Sequence, residues 1–116
     1  MGVFRGDVIT KWLPNGRDMV LTTELSYTDN AGKVWTAYAG STINGASIPR
    51  IFWVLVGSPF CGRYRRPSVI HDVNSPSDEP WQAVHRVFLE MMETEGVSRV
   101  KRYLMFKAVW YGAKRW

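Results

Sequence analysis

The first forty residues alternate between short apolar and aromatic runs and polar turns. Val3, Phe4, Val8, Ile9 and Trp12 make residues 3–12 β-prone. Leu13-Pro14-Asn15-Gly16-Arg17-Asp18 reads as a turn, because proline pre-sets φ and Asn-Gly tolerates positive φ. Residues 19–28 read as a strand in which Leu21, Leu25 and Tyr27 partly alternate. Asp29-Asn30-Ala31-Gly32-Lys33 is a second turn, and Val34-Trp35-Thr36-Ala37-Tyr38-Ala39 is the returning strand. The pattern predicts an antiparallel meander over residues 1–40.

The period changes further along. Gly45 and Pro49 mark residues 41–66 as a structured loop region, and Ile51 to Val56 fits a short helix or a strand equally well. Ser47 is placed to cap a segment that starts at Pro49. Pro67 suits the first turn of a short helix running through Val73. Ser77 or Asp78 is expected to cap the next helix, over Trp81 to Glu95, with Pro80 near its first position. Val84, Val87, Phe88, Met91 and Met92 fall on one face of it, and Gly96 closes it. Ser98 caps a last helix over residues 99–112, with Val100, Tyr103, Leu104, Ala108 and Tyr111 near one face. The expected class is α+β, a small N-terminal antiparallel meander packed on two to three C-terminal helices. It forms one domain over residues 1–116, divided into a meander (1–40), a loop region (41–66) and a helical part (67–116).

Length and composition narrow the picture. A chain of 116 residues suits one domain, and its single cysteine, Cys61, rules out a disulfide within the chain. The longest apolar run, Ile51 to Val56, is six residues, against the roughly 20 that a membrane helix needs. No signal-peptide pattern opens the chain. No membrane association is expected, and the compartment is the cytoplasm or an assembly built there. Six tryptophans are unusual at this length and predict a packed core together with some exposed contact surface. The net charge is +5, unevenly spread: residues 1–60 carry five basic and four acidic groups, residues 61–116 ten and six. The basic C-terminal half could bind nucleic acid through phosphate contacts. A solvated surface is the simpler account of a charge this size.

Three segments carry a family resemblance. The first is Gly40-Ser41-Thr42-Ile43-Asn44-Gly45-Ala46-Ser47-Ile48-Pro49-Arg50-Ile51-Phe52-Trp53. The second is Gly62-Arg63-Tyr64 followed by Val69-Ile70-His71-Asp72. The third is Val87 to Met92 with Gly96-Val97, then Tyr103 to Val109, Gly112 and Trp116. In this order they resemble the phage and prophage domain-of-unknown-function family numbered thirteen fifty-three. Its pattern is a glycine, T-D-G-A-S-[IV]-P-R-x-F-W, G-x-Y, A-[AV]-x-x-H-D-x-x-Y and two closing helices. This chain has Ile43-Asn44 where the family has Thr-Asp, Ser75 in place of the tyrosine after His-Asp, and His85 at a usually acidic position. Two carboxylates and a phenol are thus absent from the positions that would assemble a polar site.

His71 and Asp72 are the candidate catalytic pair. A histidine next to an aspartate on a helix also occurs in phospholipase A2 enzymes, where the histidine is a base. Neighbours on a helix point about 100° apart, so Asp72 cannot itself orient His71. The alternative is structural: the pair hydrogen-bonds the Gly45–Arg50 loop and holds the domain together. Asn44, Ser47, Arg50, Trp53, Tyr64 and His85 are the candidate binding residues. No metal or cofactor is expected, because His71 and His85 lack the spacing of a helical metal pair and a second cysteine is missing. Trp110, Tyr111, Lys114, Arg115 and Trp116 either stack a partner or form a core face with a solvated tail.

The resemblance implies a phage-encoded protein, and the missing polar positions, abundant aromatics and basic C-terminal half point to an accessory role through protein interaction, such as a virion head or tail component. Its partners would be other phage proteins or a host protein, in the virion or the host cytoplasm. A small hydrolase of lipid or cell envelope using His71 and Asp72 is the alternative. A factor directed at a bacterial defence or replication protein is a second one.

Overall fold

The computed structural model describes residues 2–15, 18–43, 62–75, 77–112 and 115. Six short strands come first: β1 (Val3–Arg5), β2 (Thr10–Trp12), β3 (Met19–Leu21), β4 (Leu25–Thr28), β5 (Val34–Ala37) and β6 (Thr42–Ile43). They form two antiparallel sheets of three strands, ordered β1-β4-β5 and β2-β3-β6. The class is α+β, as the pattern predicts, but the strand region is divided in two. Each β-prone run, 3–12 and 19–28, breaks in its middle and serves both sheets.

The break has a local cause. Gly6 takes φ +88°, and a Cβ there would stand 2.7 Å from the Glu24 carbonyl oxygen. The chain crosses from one sheet to the other at this point, against the backbone of the second crossing. Only glycine combines that φ with that approach. The hairpin joining β4 to β5 is closed by Asp29, whose Oδ1 accepts the amides of Ala31 and Lys33, each at 2.9 Å. Its Oδ2 accepts the Trp35 indole N–H at 3.0 Å. Burial pushes the Asp29 carboxyl up, but these hydrogen bonds and the Lys33 charge together hold it below its ordinary value.

A 3₁₀ turn, Gly62–Tyr64, leads into α1 (Arg65–Val73), followed by α2 (Trp81–Thr94) and α3 (Arg99–Gly112). Pro67 lies in the first turn of α1, where its missing N–H leaves no hydrogen bond unmade. Helix α2 starts one residue after Pro80, which is the N-cap, and neither Ser77 nor Asp78 caps it. The Ser77 hydroxyl instead accepts the Glu79 amide at 3.2 Å within the connecting turn. Gly96 ends α2 at φ +80°, with the Val97 amide returning to the Met92 carbonyl at 3.0 Å. Ser98 starts α3, its carbonyl accepting the Arg102 amide at 2.9 Å.

The core lies between the sheets and the helices, with α1 packed on β4, β5 and β6 and α2 packed on α1. Leu21, Leu25, Tyr27, Trp35, Ala37 and Ile43 supply the strand side. Val69 and Ile70 of α1 join the same cluster, and Val84, Val87, Phe88, Met91 and Met92, the whole face predicted for α2, are buried in it. Helix α3 departs from expectation. It buries Met105, Ala108 and Val109, while Val100, Tyr103, Leu104 and Tyr111 of the predicted face are exposed. Of the predicted face only Ala108 is buried, beside Met105 and Val109, because the packing of α3 against α2 turns the rest of that face outward.

Polar straps join the two layers. The Tyr27 hydroxyl meets the Glu90 carboxylate and lies 2.9 Å from the Thr94 hydroxyl, both on α2. Burial, and then the adjacent Glu90 carboxylate, hold the Tyr27 hydroxyl well above its ordinary pKa, so it stays protonated and donates. Arg66 of α1 forks onto Glu95 at 2.6 and 3.0 Å and lies 4.6 Å over the Phe4 ring. Tyr27→Phe should lower unfolding stability by about 1–3 kcal/mol, because it leaves a part-buried carboxylate without its donor. Urea denaturation checks this through a lower midpoint at unchanged slope.

Candidate functional site

His71 lies in the last turns of α1, on the side that meets α2. Ser68, Val69, Ile70 and His71 are all buried, so this short helix is enclosed over a full turn. The His71 imidazole is 0 % exposed, and so is that of His85, one turn into α2. The His71 Nε2 and His85 Nδ1 atoms stand 2.9 Å apart, the distance of a hydrogen bond between two rings. One ring donates and the other accepts, so the pair needs one proton between these atoms and no charge.

Aromatic rings surround the pair. Phe88 packs on His71 at 4.8 Å between centroids, and Trp81 on His85 at 5.5 Å. Trp110 of α3 closes the cluster, 5.0 Å from Trp81 and 6.2 Å from His85. Every neighbouring ring is uncharged, and desolvation works against an imidazolium. Burial first, and the adjacent His85 second, pull the His71 imidazole down to about 3. Its Nδ1 has no hydrogen-bond partner among the described residues.

Asp72 is half-buried, about 100° further round α1. Ser75, at the position of the family tyrosine, donates its hydroxyl to the His71 carbonyl at 2.6 Å and closes the end of α1. Tyr64 ends the 3₁₀ turn, buried, and its hydroxyl has no hydrogen-bond partner among the described residues. His85 stands at a position that is usually acidic in the family, and the structure brings it onto His71. The two lie 14 residues apart on different helices, and the only sequence signal linking them is that both are histidines at motif positions. Asn44, Ser47, Arg50 and Trp53 lie outside the described residues, as do Cys61, the proposed contact of His71 with the Gly45–Arg50 loop, Lys114 and Trp116. Arg115 folds back, donating twice to the Trp110 carbonyl at 2.7 and 3.1 Å and covering the Trp81 ring at 4.7 Å.

Among the described residues no group of three His, Cys, Asp or Glu side chains could hold a metal ion. Among the same residues no helix is long and apolar enough to cross a membrane.

A small α+β domain whose helices are joined through a buried pair of imidazoles is the class that fold and site define. The chain belongs to the family of proteins of unknown function DUF1353, whose model matches residues 19–109, from β3 into the last turns of α3. It is 37% identical over 90 residues to the uncharacterized protein y4jT of Sinorhizobium fredii (strain NBRC 101917 / NGR234), covering 77% of this chain and 27% of that protein. It is 35% identical over 98 residues to the uncharacterized protein y4iH of the same strain, covering 84% and 41%. The chain therefore spans less than half the length of these curated relatives. No solved structure matches it.

Two outcomes are expected of the imidazole pair. His71→Ala should lower stability by about 2–4 kcal/mol, because it opens a cavity and strands the His85 Nδ1 atom. Chemical denaturation measures it. The second concerns pH. The folded His71 stays neutral down to about 3, whereas an unfolded histidine protonates near 6.5. The contribution is therefore complete above that pH and is lost progressively as pH falls from 6.5 towards 3. The urea midpoint should fall between pH 7.5 and pH 5.5, a window in which ordinary carboxylates stay ionised.

Proposed function

We propose that this chain is an accessory protein that acts by docking onto another protein, in keeping with a phage-encoded component of a virion head or tail. The observation that carries the reading is the outer face of α3. Val100 is 71% exposed, Tyr103 45%, Leu104 41% and Tyr111 76%. With Lys107 they fall at spacings of three and four residues, one stripe along the helix. Arg99, Lys101 and Arg102 flank the stripe, and the helix has no acidic residue. An apolar stripe set among cations suits a partner with an apolar strip and an acidic rim.

Two further points support the reading. His71 has no solvent-accessible surface, so a base there would meet neither water nor substrate. The matched region is also a minor part of the two curated relatives, as a module joined to other functions would be. The phage assignment itself rests on the family resemblance.

The test pairs composition with mutation. Mass spectrometry of purified phage particles should find the protein in many copies per particle. Abundance in infected-cell lysate with absence from particles would favour the host-directed reading instead. Leu104→Glu combined with Tyr111→Glu should abolish cross-linking to the particle neighbour while changing stability by no more than about 0.5 kcal/mol, since both side chains face water. Unchanged cross-linking in that double variant would overturn α3 as the docking face.

A further inference from the structure

A cleft lies between α2 and α3, beside the outer stripe. Arg86 of α2 and Phe106, Lys107, Trp110 and Tyr111 of α3 line it, and its volume is about 250 Å³. Phe106 and Trp110 are half-buried, with ring centroids 5.6 Å apart, whereas Arg86, Lys107 and Tyr111 are exposed. Rings therefore form its inner part and cations its rim. The Arg86 guanidinium lies 5.4 Å over the Trp110 ring. Arg115, tied to the Trp110 carbonyl, lies 5.9 Å from the Tyr111 ring and brings a third cation to the same end of α3.

The charge at this rim is uncompensated. Among the described residues none of Arg86, Lys107 and Arg115 pairs with a carboxylate, and no acidic side chain lines the cleft. A second copy of this chain is a poor occupant, because it would bring a net charge of +5 and the same cationic helix. Two further properties identify the ligand. The rings offer π-faces, and the polar side-chain groups are a guanidinium, an ammonium and a phenol hydroxyl, with no amide or carboxylate to read a base edge. Rings that stack bases among cations that follow phosphates are the means by which single strands are held irrespective of sequence. The volume lies below that of sites that enclose a whole small molecule, so it takes one ring system and leaves the remainder outside, as for one base of a longer strand. A nucleic acid carries a phosphate at every residue and so meets three cations around one ring by its own chain. A protein segment would need carboxylates spaced to match. Bases within a duplex are already stacked and are not offered to such a cleft.

We propose that this cleft binds single-stranded nucleic acid without sequence preference, one base stacking against Trp110 and Tyr111 while Arg86, Lys107 and Arg115 meet the flanking phosphates. The site goes beyond the docking reading and does not rest on it. Arg86, Phe106 and Trp110 lie off the outer stripe, and only Lys107 and Tyr111 belong to both.

The test is fluorescence anisotropy of a labelled deoxythymidine oligomer of roughly 12 nucleotides, within the span such sites cover, titrated with the whole chain and compared with a duplex of equal length. The expected result is saturable, tighter binding of the single strand, with log affinity falling against log salt at a slope of about −2 for three phosphates. Tyr111→Leu keeps an apolar side chain but removes the ring, and should weaken binding roughly tenfold, the loss of one stacked base. Arg86→Gln should weaken it severalfold and make the salt slope shallower by about 0.7. Lys11→Gln, which removes the same charge from the exposed side of β2, should leave affinity and slope nearly unchanged. All three positions are exposed, so the melting temperature of each variant should match that of the parent. Absence of saturable binding at low salt, equal binding of the duplex, or equal weakening by all three variants would overturn the proposal, the last two showing general attraction to a basic protein. Unchanged oligomer binding in both Tyr111→Leu and Arg86→Gln would overturn it as well, and loss of the particle cross-link in Arg86→Gln would then give the cleft to a protein partner.

Discussion

The three helices are held together around one contact, the 2.9 Å hydrogen bond between the His71 and His85 imidazoles. Both rings are fully buried, and Phe88, Trp81 and Trp110 exclude water from them. In such surroundings a lost hydrogen bond is not replaced by solvent, so the pair constrains where α1 can sit on α2. It also constrains charge: an imidazolium there would lack any facing carboxylate among the rings that surround it. Trp110 extends the same constraint to α3, and Arg115 covers Trp81 from the outside. The residues that look most like chemistry in the sequence are therefore part of the interior that orders the helices.

The sheets depend on the helices in a different way. Each sheet has only three strands of two to four residues, too small to be stable alone. Their buried side chains close on α1, and polar straps reach α2 from the strand half. Tyr27 reaches Glu90 and Thr94 from β4, and Lys33 pairs with Glu79 from the hairpin end. Arg66 links α1 to Glu95 and to the Phe4 ring of β1. These contacts bridge the strand half and the helical half, whose distinct patterns could suggest two units.

With its interior committed in this way, the molecule offers function at its surface. Helix α3 buries three of its 14 residues and turns an apolar, cationic stripe outward. Beside that stripe, Phe106 and Trp110 share an aromatic, cationic cleft with Arg86 of α2. The stripe faces outward because α3 packs through Met105, Ala108 and Val109. That seating leaves Tyr103, Leu104 and Tyr111 exposed.

The local pattern by itself determined the class, the turns at Pro14 and Asp29, the buried face of α2, the Gly96 stop and the family, because each is written in residues close in sequence. It did not determine that the runs 3–12 and 19–28 each serve two sheets, since the break rests on Gly6 meeting the Glu24 carbonyl, 18 residues away in the chain. Nor did it decide which side of α3 is buried, because Met105 and Val109 join Ala108 against α2 while the rest of the predicted face stays exposed. Tertiary structure alone brought His85 onto His71 and turned a pair of candidate site residues into a buried, uncharged hydrogen bond. Periodicity reports which side of an element is apolar. Which partner it meets, and how dry the contact is, depend on residues far away in the chain, and dryness is what sets the charge an imidazole can carry.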